Sequence, residues 1–234
     1  MCGRFRQSRR SQLIEEYFAA MSDGLEWPPR YNIAPTQPVL VIRRKPKTSV
    51  RELSLAQWGL IPHWTKDPSL SSKLINARSE TIREKPAFRD AFISRRCLIP
   101  ADGFYEWERT SNGKQPYCFE MNDGEMFAFA GIWDRWTGND GRAIETCSIL
   151  TTTANDTASK VHNRMPVILD RHNYDVWLDP EFANMGELSG LLKPWTDERM
   201  RCYPVSSRVN SPKNDDPECS RLLPVENNAP MLFE

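Results

Sequence analysis

The chain begins Met-Cys-Gly-Arg-Phe, with a thiol directly behind the initiator. Methionine is normally trimmed when the second residue is small, and cysteine qualifies. Trimming would leave Cys2 with a free α-amine two carbons from its own thiol, a 1,2-aminothiol that no internal cysteine can supply. An α-amine has a pKa of about 8, so a useful fraction is neutral at pH 7. A neutral amine condenses with an aldehyde to a Schiff base. The thiol can then close onto the imine carbon as a five-membered thiazolidine, a closure favoured because it is intramolecular. The same residue could instead serve as an N-terminal nucleophile, the amine acting as base for its own thiol in amide hydrolysis. The remaining reading is a chance cysteine near an exposed chain start.

Other polar residues are set among apolar or aromatic neighbours. In L-I-N-A-R-S-E-T, Asn76 and Arg78 alternate with Ile75 and Ala77, so on a strand both point to one face. In P-A-D-G-F-Y-E-W, Glu106 sits between Tyr105 and Trp107 at the end of an apolar strand. A carboxylate buried there would have a raised pKa, which suits a general acid or base near neutrality; the alternative is an exposed strand-end glutamate. In K-V-H-N-R-M-P-V-I-L, His162 and Arg164 precede an apolar strand, in a catalytic or a structural role. The other histidines, His63 and His172, read as surface or capping residues. Tyr31, Pro35, Trp58 and Trp64 fall in or near loops rich in proline. Flat, rigid side chains beside arginines can stack or wedge against bases of single-stranded nucleic acid, although each aromatic could equally be core.

The elements that must position these groups follow from periodicity. Ser8 or Ser11 can cap a helix through about Met21, with Leu13, Ile14, Tyr17, Phe18 and Met21 on one face. The prolines of W-P-P-R-Y-N-I-A-P-T-Q-P, residues 27–38, predict an irregular loop. Strand patterns start near Val39, Arg51, Arg95, Gln115, Glu125 and Ile144, and a last one near Met200, with turn signals at Asn112–Gly113 and 122–124. Short helices are expected after Asn155, near His172–Leu178 and near Leu188–Leu192. The segment 211–234 reads as a loop-rich C-terminal tail. No linker or repeat divides the chain. The fold class expected is α+β: a single domain, 1–234, with a mostly antiparallel, curled, barrel-like β core and a few peripheral helices.

Composition narrows the class. With 39% hydrophobic and 26% charged residues the chain is ordinary for a globular protein. Its longest apolar run is about seven residues, well short of the roughly 20 that span a bilayer, and the N-terminus has no apolar signal region. A cytoplasmic location without membrane attachment is the expectation. The six cysteines have no metal-site or disulfide spacing, and Cys97, Cys118 and Cys147 read as buried strand residues. No metal and no cofactor is called for. The net charge of zero hides an asymmetry: residues 1–117 hold 20 Lys and Arg against 12 Asp and Glu, and the rest hold 11 against 19. That suggests a basic face for an anionic partner, unless the two halves interleave in space.

Taken together, M-C-G-R-F, Y-N-I-A-P, W-G-L-I-P-H-W, I-N-A-R-S-E-T, R-R-C-L-I-P-A-D-G-F-Y-E-W, T-T-A-N and V-H-N-R-M-P-V-I-L, in that order, resemble the SRAP family, the SOS response-associated peptidases or abasic-site processing proteins. The likeness extends to Y-P-V-S-x-x-V-N from Tyr203 to Asn210. It implies a protein that binds abasic sites in single-stranded DNA, or at single-strand/double-strand junctions, and captures the ring-opened sugar aldehyde on Cys2 as the thiazolidine described above. On this likeness Cys2 is the nucleophile, Asn76 the active-site amide that positions terminus and sugar, Glu106 a proton shuttle, and His162 the group that stabilises the adduct. Arg78 and Arg164 resemble phosphate contacts, Arg4 adds to the basic surface, and Pro35 and Trp64 stand where family members wedge or stack on bases. Autocatalytic removal of Met1 would use the same groups. The competing readings are a thiol peptidase acting on peptides and a non-catalytic single-strand binder. A monomer is expected.

Overall fold

In the computed structural model, which describes residues 2–45, 47–111, 113–196 and 198–224, the apolar strand segments pair as expected and curl until they meet. In chain order the strands are β1 (Phe5–Gln7), β2 (Ala20–Met21), β3 (Arg30–Ile33), β4 (Pro38–Arg44), β5 (Arg51–Trp58), β6 (Asn76–Arg78), β7 (Arg96–Ala101), β8 (Gly103–Thr110), β9 (Gly113–Met121), β10 (Phe127–Thr137), β11 (Ala143–Thr153), β12 (Arg164–Pro166), β13 (Ile168–Leu169) and β14 (Met200–Pro204). Strands β11, β10, β7, β4 and β5 follow one another as antiparallel neighbours. An odd number of alternating strands can close only through a parallel pair. That pair is present where β5 meets β11, with Thr146 opposite Gln57 and Cys147 opposite Trp58. The result is a small closed barrel whose interior is filled by side chains.

Close packing inside the barrel sets a limit at Gly131 on β10. A Cβ there would lie 2.8 Å from Cys97 Sγ and 2.9 Å from Ile99 Cδ1. Gly131→Ala is therefore expected to cost about 1–3 kcal/mol through overpacking, read as a lowered denaturant midpoint with an unchanged slope.

The second sheet runs β14–β9–β8–β1–β3 and packs its aromatic face on the barrel. Phe5 of β1 meets Trp58 at 5.0 Å and Phe129 at 5.6 Å between ring centroids, and Phe104 of β8 stacks on Phe119 of β9 at 4.7 Å. Each such ring contributes roughly 1.5–3 kcal/mol by leaving water. The chain start is thus an interior strand, held by β8 on one side and β3 on the other. Arg6 on β1 anchors it further, with its buried guanidinium paired to Glu120 and Asp102. Gly103 leaves the space this guanidinium occupies, since a Cβ would come within 2.6 Å of Arg6 Nε.

Several expectations need correction. The helix α1 (Ser11–Phe18) has no side-chain cap at either serine, because Arg10 is its N-cap. It stops at Ala19 in the left-handed region, φ 48°, so Ala20 and Met21 can pair in parallel with β5. Ile14 and Phe18 are buried, but Leu13 and Met21 are exposed. The proline-rich stretch is not wholly irregular. Its prolines at 28, 29, 35 and 38 flank rather than interrupt residues 30–33, and that run supplies the edge strand β3. Cys97, Cys118 and Cys147 are buried in strands, as expected. The remaining helices, α2 (Pro86–Ser94), α3 (Asp156–Ser159), α4 (Tyr174–Leu178) and α5 (Met185–Gly190), lie outside the sheets. Residues 211–224 pack as irregular chain with a 3-10 turn at Pro217–Ser220 and a bridge from Val205 to Leu222. The expected turn residue Asn112, and positions 225–234 of the tail, lie outside the described residues.

The charge asymmetry is largely resolved by interleaving. Arg6 pairs with Glu120, Arg30 with Asp215, Arg43 with Glu145, Arg44 with Asp179, Arg51 with Asp175 and Arg95 with Asp134, all cations of the first half with anions of the second. Among the described residues no helix is long and apolar enough to cross a membrane.

Candidate active site

The strand pairing of β1 draws Cys2 into the interior. Tyr105 N–H donates to Arg4 O at 2.9 Å, and Asp102 N–H donates to Arg6 O at 3.3 Å. Cys2 is fully buried, with its Sγ 3.8 Å from the Arg4 carbonyl. Its own carbonyl accepts a hydrogen bond of 2.7 Å from Asn76 Nδ2. Asn76 is fixed in turn because β6 pairs in parallel with β11, Asn76 lying opposite Ile149. The other end of the amide, Asn76 Oδ1, is buried without a hydrogen-bond partner among the described residues. An unsatisfied acceptor of that kind is costly unless a ligand or water completes it.

Glu106 sits on β8 opposite Tyr117 and is almost fully buried. Burial pushes its carboxyl above the usual carboxylate range, opposed in part by the positive charge of His162. The Cys2 thiol is pushed far up, first by its own burial and then by the negative charge of Glu106. The thiol is therefore protonated at neutral pH. His162 closes the turn that follows α3: Asn155 Oδ1 accepts from Ala158 N–H at 2.8 Å, and His162 N–H donates to Ala158 O at 2.9 Å. The backbone N–H of Arg164 donates to His162 Nδ1 at 3.0 Å. The same Nδ1 also lies 3.2 Å from the Arg164 carbonyl oxygen, so both backbone groups of Arg164 fix the orientation of the ring.

Glu106, His162 and Arg4 line one open pocket of about 360 Å³. Of the other predicted residues, Asn76 and Arg78 share a face of β6, and Arg78 is exposed. β11 carries β6 on one side and β12 on the other, so Arg78 and Arg164 flank Thr151 and Thr153. Their states differ. Arg164 makes a two-pronged ion pair with Glu80, 2.9 Å to each oxygen, and donates to Thr151 O at 2.7 Å. Arg78 has no side-chain partner among the described residues. Pro35 and Trp64 lie apart from the pocket. Pro35 belongs to the turn tied to Trp58 by the 2.7 Å bond from Thr36 N–H. Trp64 follows His63, whose N–H donates to Asp134, opposite Thr146 on β11. Thr146 precedes Thr151 by five residues, roughly 17 Å along the strand. Trp64 is nonetheless 53% exposed, unusual for its size.

Reasoning from sequence gave Arg4 only a place on the basic surface, whereas it ties the chain start to the C-terminal segment. It donates to Asn32 Oδ1 and to Val209 O, each at 2.8 Å. Asn32 in turn donates to the carbonyls of Val209, Ser211 and Asn214. Trp107 was missed as a pocket residue, and so was Asn210, to whose Oδ1 the Trp107 indole donates at 2.7 Å. Both stand in the motifs quoted above, so the signal was present without a role attached.

The family model described as SOS response associated peptidase (SRAP) matches residues 1–212. The abasic site processing protein YoqW of Bacillus subtilis (strain 168) is 43% identical over 222 residues, covering 93% of this chain and 98% of its own. The abasic site processing protein HMCES of Gallus gallus is 36% identical over 232 residues, covering 86% and 68% respectively. Among solved structures, a protein from Bacteroides thetaiotaomicron superposes with a TM-score of 0.85 at 29% identity, covering 95% of this chain and all of its own. One from Bordetella bronchiseptica gives 0.75 at 31% identity, over 88% of this chain and 100% of its own. With the barrel, the buried second residue and the pocket beside it accounted for, the chain belongs to the SOS response associated peptidase (SRAP) family.

Proposed function

We propose that this protein, once Met1 is removed, captures abasic sites in single-stranded DNA as a covalent thiazolidine on Cys2. The observation that carries the reading is the placement of residue 2, held by Asn76 within the fold and in the field of Glu106. The relatives' shared name, abasic site processing protein, supports the substrate class. The Cys2 amine attacks the aldehyde carbon of the ring-opened sugar, and loss of one water gives the imine. The thiol sulfur then bonds to the imine carbon while its proton passes to nitrogen. Because the buried thiol is neutral, the ring closure needs an acceptor for that proton, and Glu106 is placed to take it and return it. His162 donates a ring proton to the sugar oxygen that ring opening frees. Asn76 Oδ1 is an acceptor for the freed amine. Arg78 meets a phosphate, and Arg164 does so by exchanging Glu80 for it. Trp64 and Pro35 contact the strand beyond the captured sugar.

The test is a denaturing gel of trimmed protein with single-stranded oligonucleotide, abasic or intact. A heat-stable shifted band with the abasic strand alone is expected; binding of that strand with no covalent band overturns the reading. A second activity, release of Met1 by the protein itself, is favoured by the same closeness of Glu106 and thiol. It predicts retained Met1 in Glu106→Ala when host aminopeptidase is inhibited, and equal trimming of both proteins contradicts it.

A further inference from the structure

The β8–β9 hairpin carries two cations side by side near its tip. Arg109 on β8 lies directly opposite Lys114 on β9. Like charges directly opposite each other on a strand pair are destabilising. Neither has an acidic partner within ion-pair distance among the described residues. The adjacent carboxylate is engaged elsewhere, since Glu108 accepts from Tyr117 OH at 3.0 Å. Arg164, two residues from His162, is neutralised by Glu80, and Arg4 is bonded to Asn32 and Val209. Arg109 and Lys114 are both exposed, and both line the same pocket as Glu106 and His162.

Two unneutralised cations held together at the mouth of a reactive pocket are a receptor for an anion that enters with the substrate. Arg109 lies three residues along β8 from Glu106, roughly 10 Å, so the pair stands beyond the reacting sugar rather than on it. An arginine fork and a lysine point charge are a complementary pair for phosphate oxygens. We propose that Arg109 and Lys114 form a phosphate clamp that grips the DNA backbone next to the captured sugar. This rests on the abasic-site reading above and adds a contact from a hairpin outside the β6–β11–β12 arginines.

The clamp predicts a charge effect on encounter and none on chemistry. The probe is a single-stranded oligonucleotide carrying a tetrahydrofuran abasic analogue, which has no aldehyde and cannot crosslink. Each phosphate contact contributes about 0.7 to the slope of log affinity against log salt on single strands. The double variant Arg109→Ala/Lys114→Ala should lower that slope by about 1 and weaken binding about tenfold at 50–100 mM salt. The swap Arg109→Lys/Lys114→Arg should retain the wild-type slope. Adduct yield with a true abasic strand at saturating concentration should be the same in all three proteins. A slope unchanged in the alanine variant, with wild type binding the probe, overturns the clamp alone. Reduced slope in that variant with no covalent band from any protein supports the clamp and overturns the crosslink. Wild type that binds no probe at all overturns both.

Discussion

Cys2→Ala is expected to lose the heat-stable adduct altogether while keeping most of its affinity for an uncleavable abasic analogue. Alanine leaves the α-amine in place, so an imine can still form and hydrolyse. It removes the sulfur that converts the imine into a ring. Well-oriented intramolecular closures reach effective concentrations of about 10⁵–10⁸ M, equivalent to roughly 7–11 kcal/mol of barrier, and no external thiol supplies that. Serine keeps a nucleophilic atom at the same position but a weaker one, so Cys2→Ser should resemble alanine. The variant will not unfold for want of the thiol. Cys2 is buried but small, and β1 remains fixed by Phe5, by Arg6 and by strand pairing on both sides. Wild-type yield of heat-stable adduct from Cys2→Ala, measured on a denaturing gel, would move the chemistry off residue 2.

Glu106→Gln is expected to slow adduct formation by about 10²–10⁴-fold, the range supplied by a positioned acid–base group, and to change stability in the opposite direction. Burial raises the Glu106 carboxyl above its ordinary value of 4.5. Between that value and the folded one, the native state binds more protons than the unfolded chain. Stability contributed by the protonated acid is full below 4.5 and is lost as pH rises through the folded pKa. Glutamine stays neutral throughout. The variant should therefore melt higher than wild type at pH 8 and equal it at pH 4, while its adduct rate loses the acidic limb that wild type shows as Glu106 takes up a proton. Identical melting curves at pH 8, or an acidic limb that persists in the variant, would contradict the placement of the charge. A buried carboxylate that weakens the fold yet sits at the pocket is stability exchanged for reactivity.

Much of this frame was legible because it is local. Apolar and β-branched runs at Val39–Arg43, Arg51–Trp58 and Ile144–Thr153 mark strands wherever they pair, and the Asn76/Arg78 face follows from a period of two. The reach of α1 was misjudged because Ala19 adopts a left-handed conformation that its residue type does not announce, and Met21 then joins a strand. The proline-rich stretch concealed β3 because four residues between prolines give too short a pattern to read. Barrel closure depends on β5 meeting β11 almost ninety positions later, and nothing in either segment encodes that partner. The same holds at the site. Residue types identified Cys2, Glu106 and His162 as candidates, but not that Asn32 and Arg4 bind the chain start to residues 209–214. The charge asymmetry pointed to a basic face, and pairing across the halves consumed most of it. Among the cations without an acidic partner in the described residues, Arg78 lies beside β11 and Arg109 and Lys114 line the pocket.

The central claim is that one residue supplies both amine and thiol, and intact mass of the adduct tests it most directly. Trimmed wild-type protein is incubated with an abasic single strand without any reductant, denatured, and weighed. The account predicts protein lacking Met1 plus DNA less one water, with the DNA remnant on the peptide that begins at Cys2. An adduct that retains Met1, or whose remnant maps to a lysine or an internal cysteine, would contradict it.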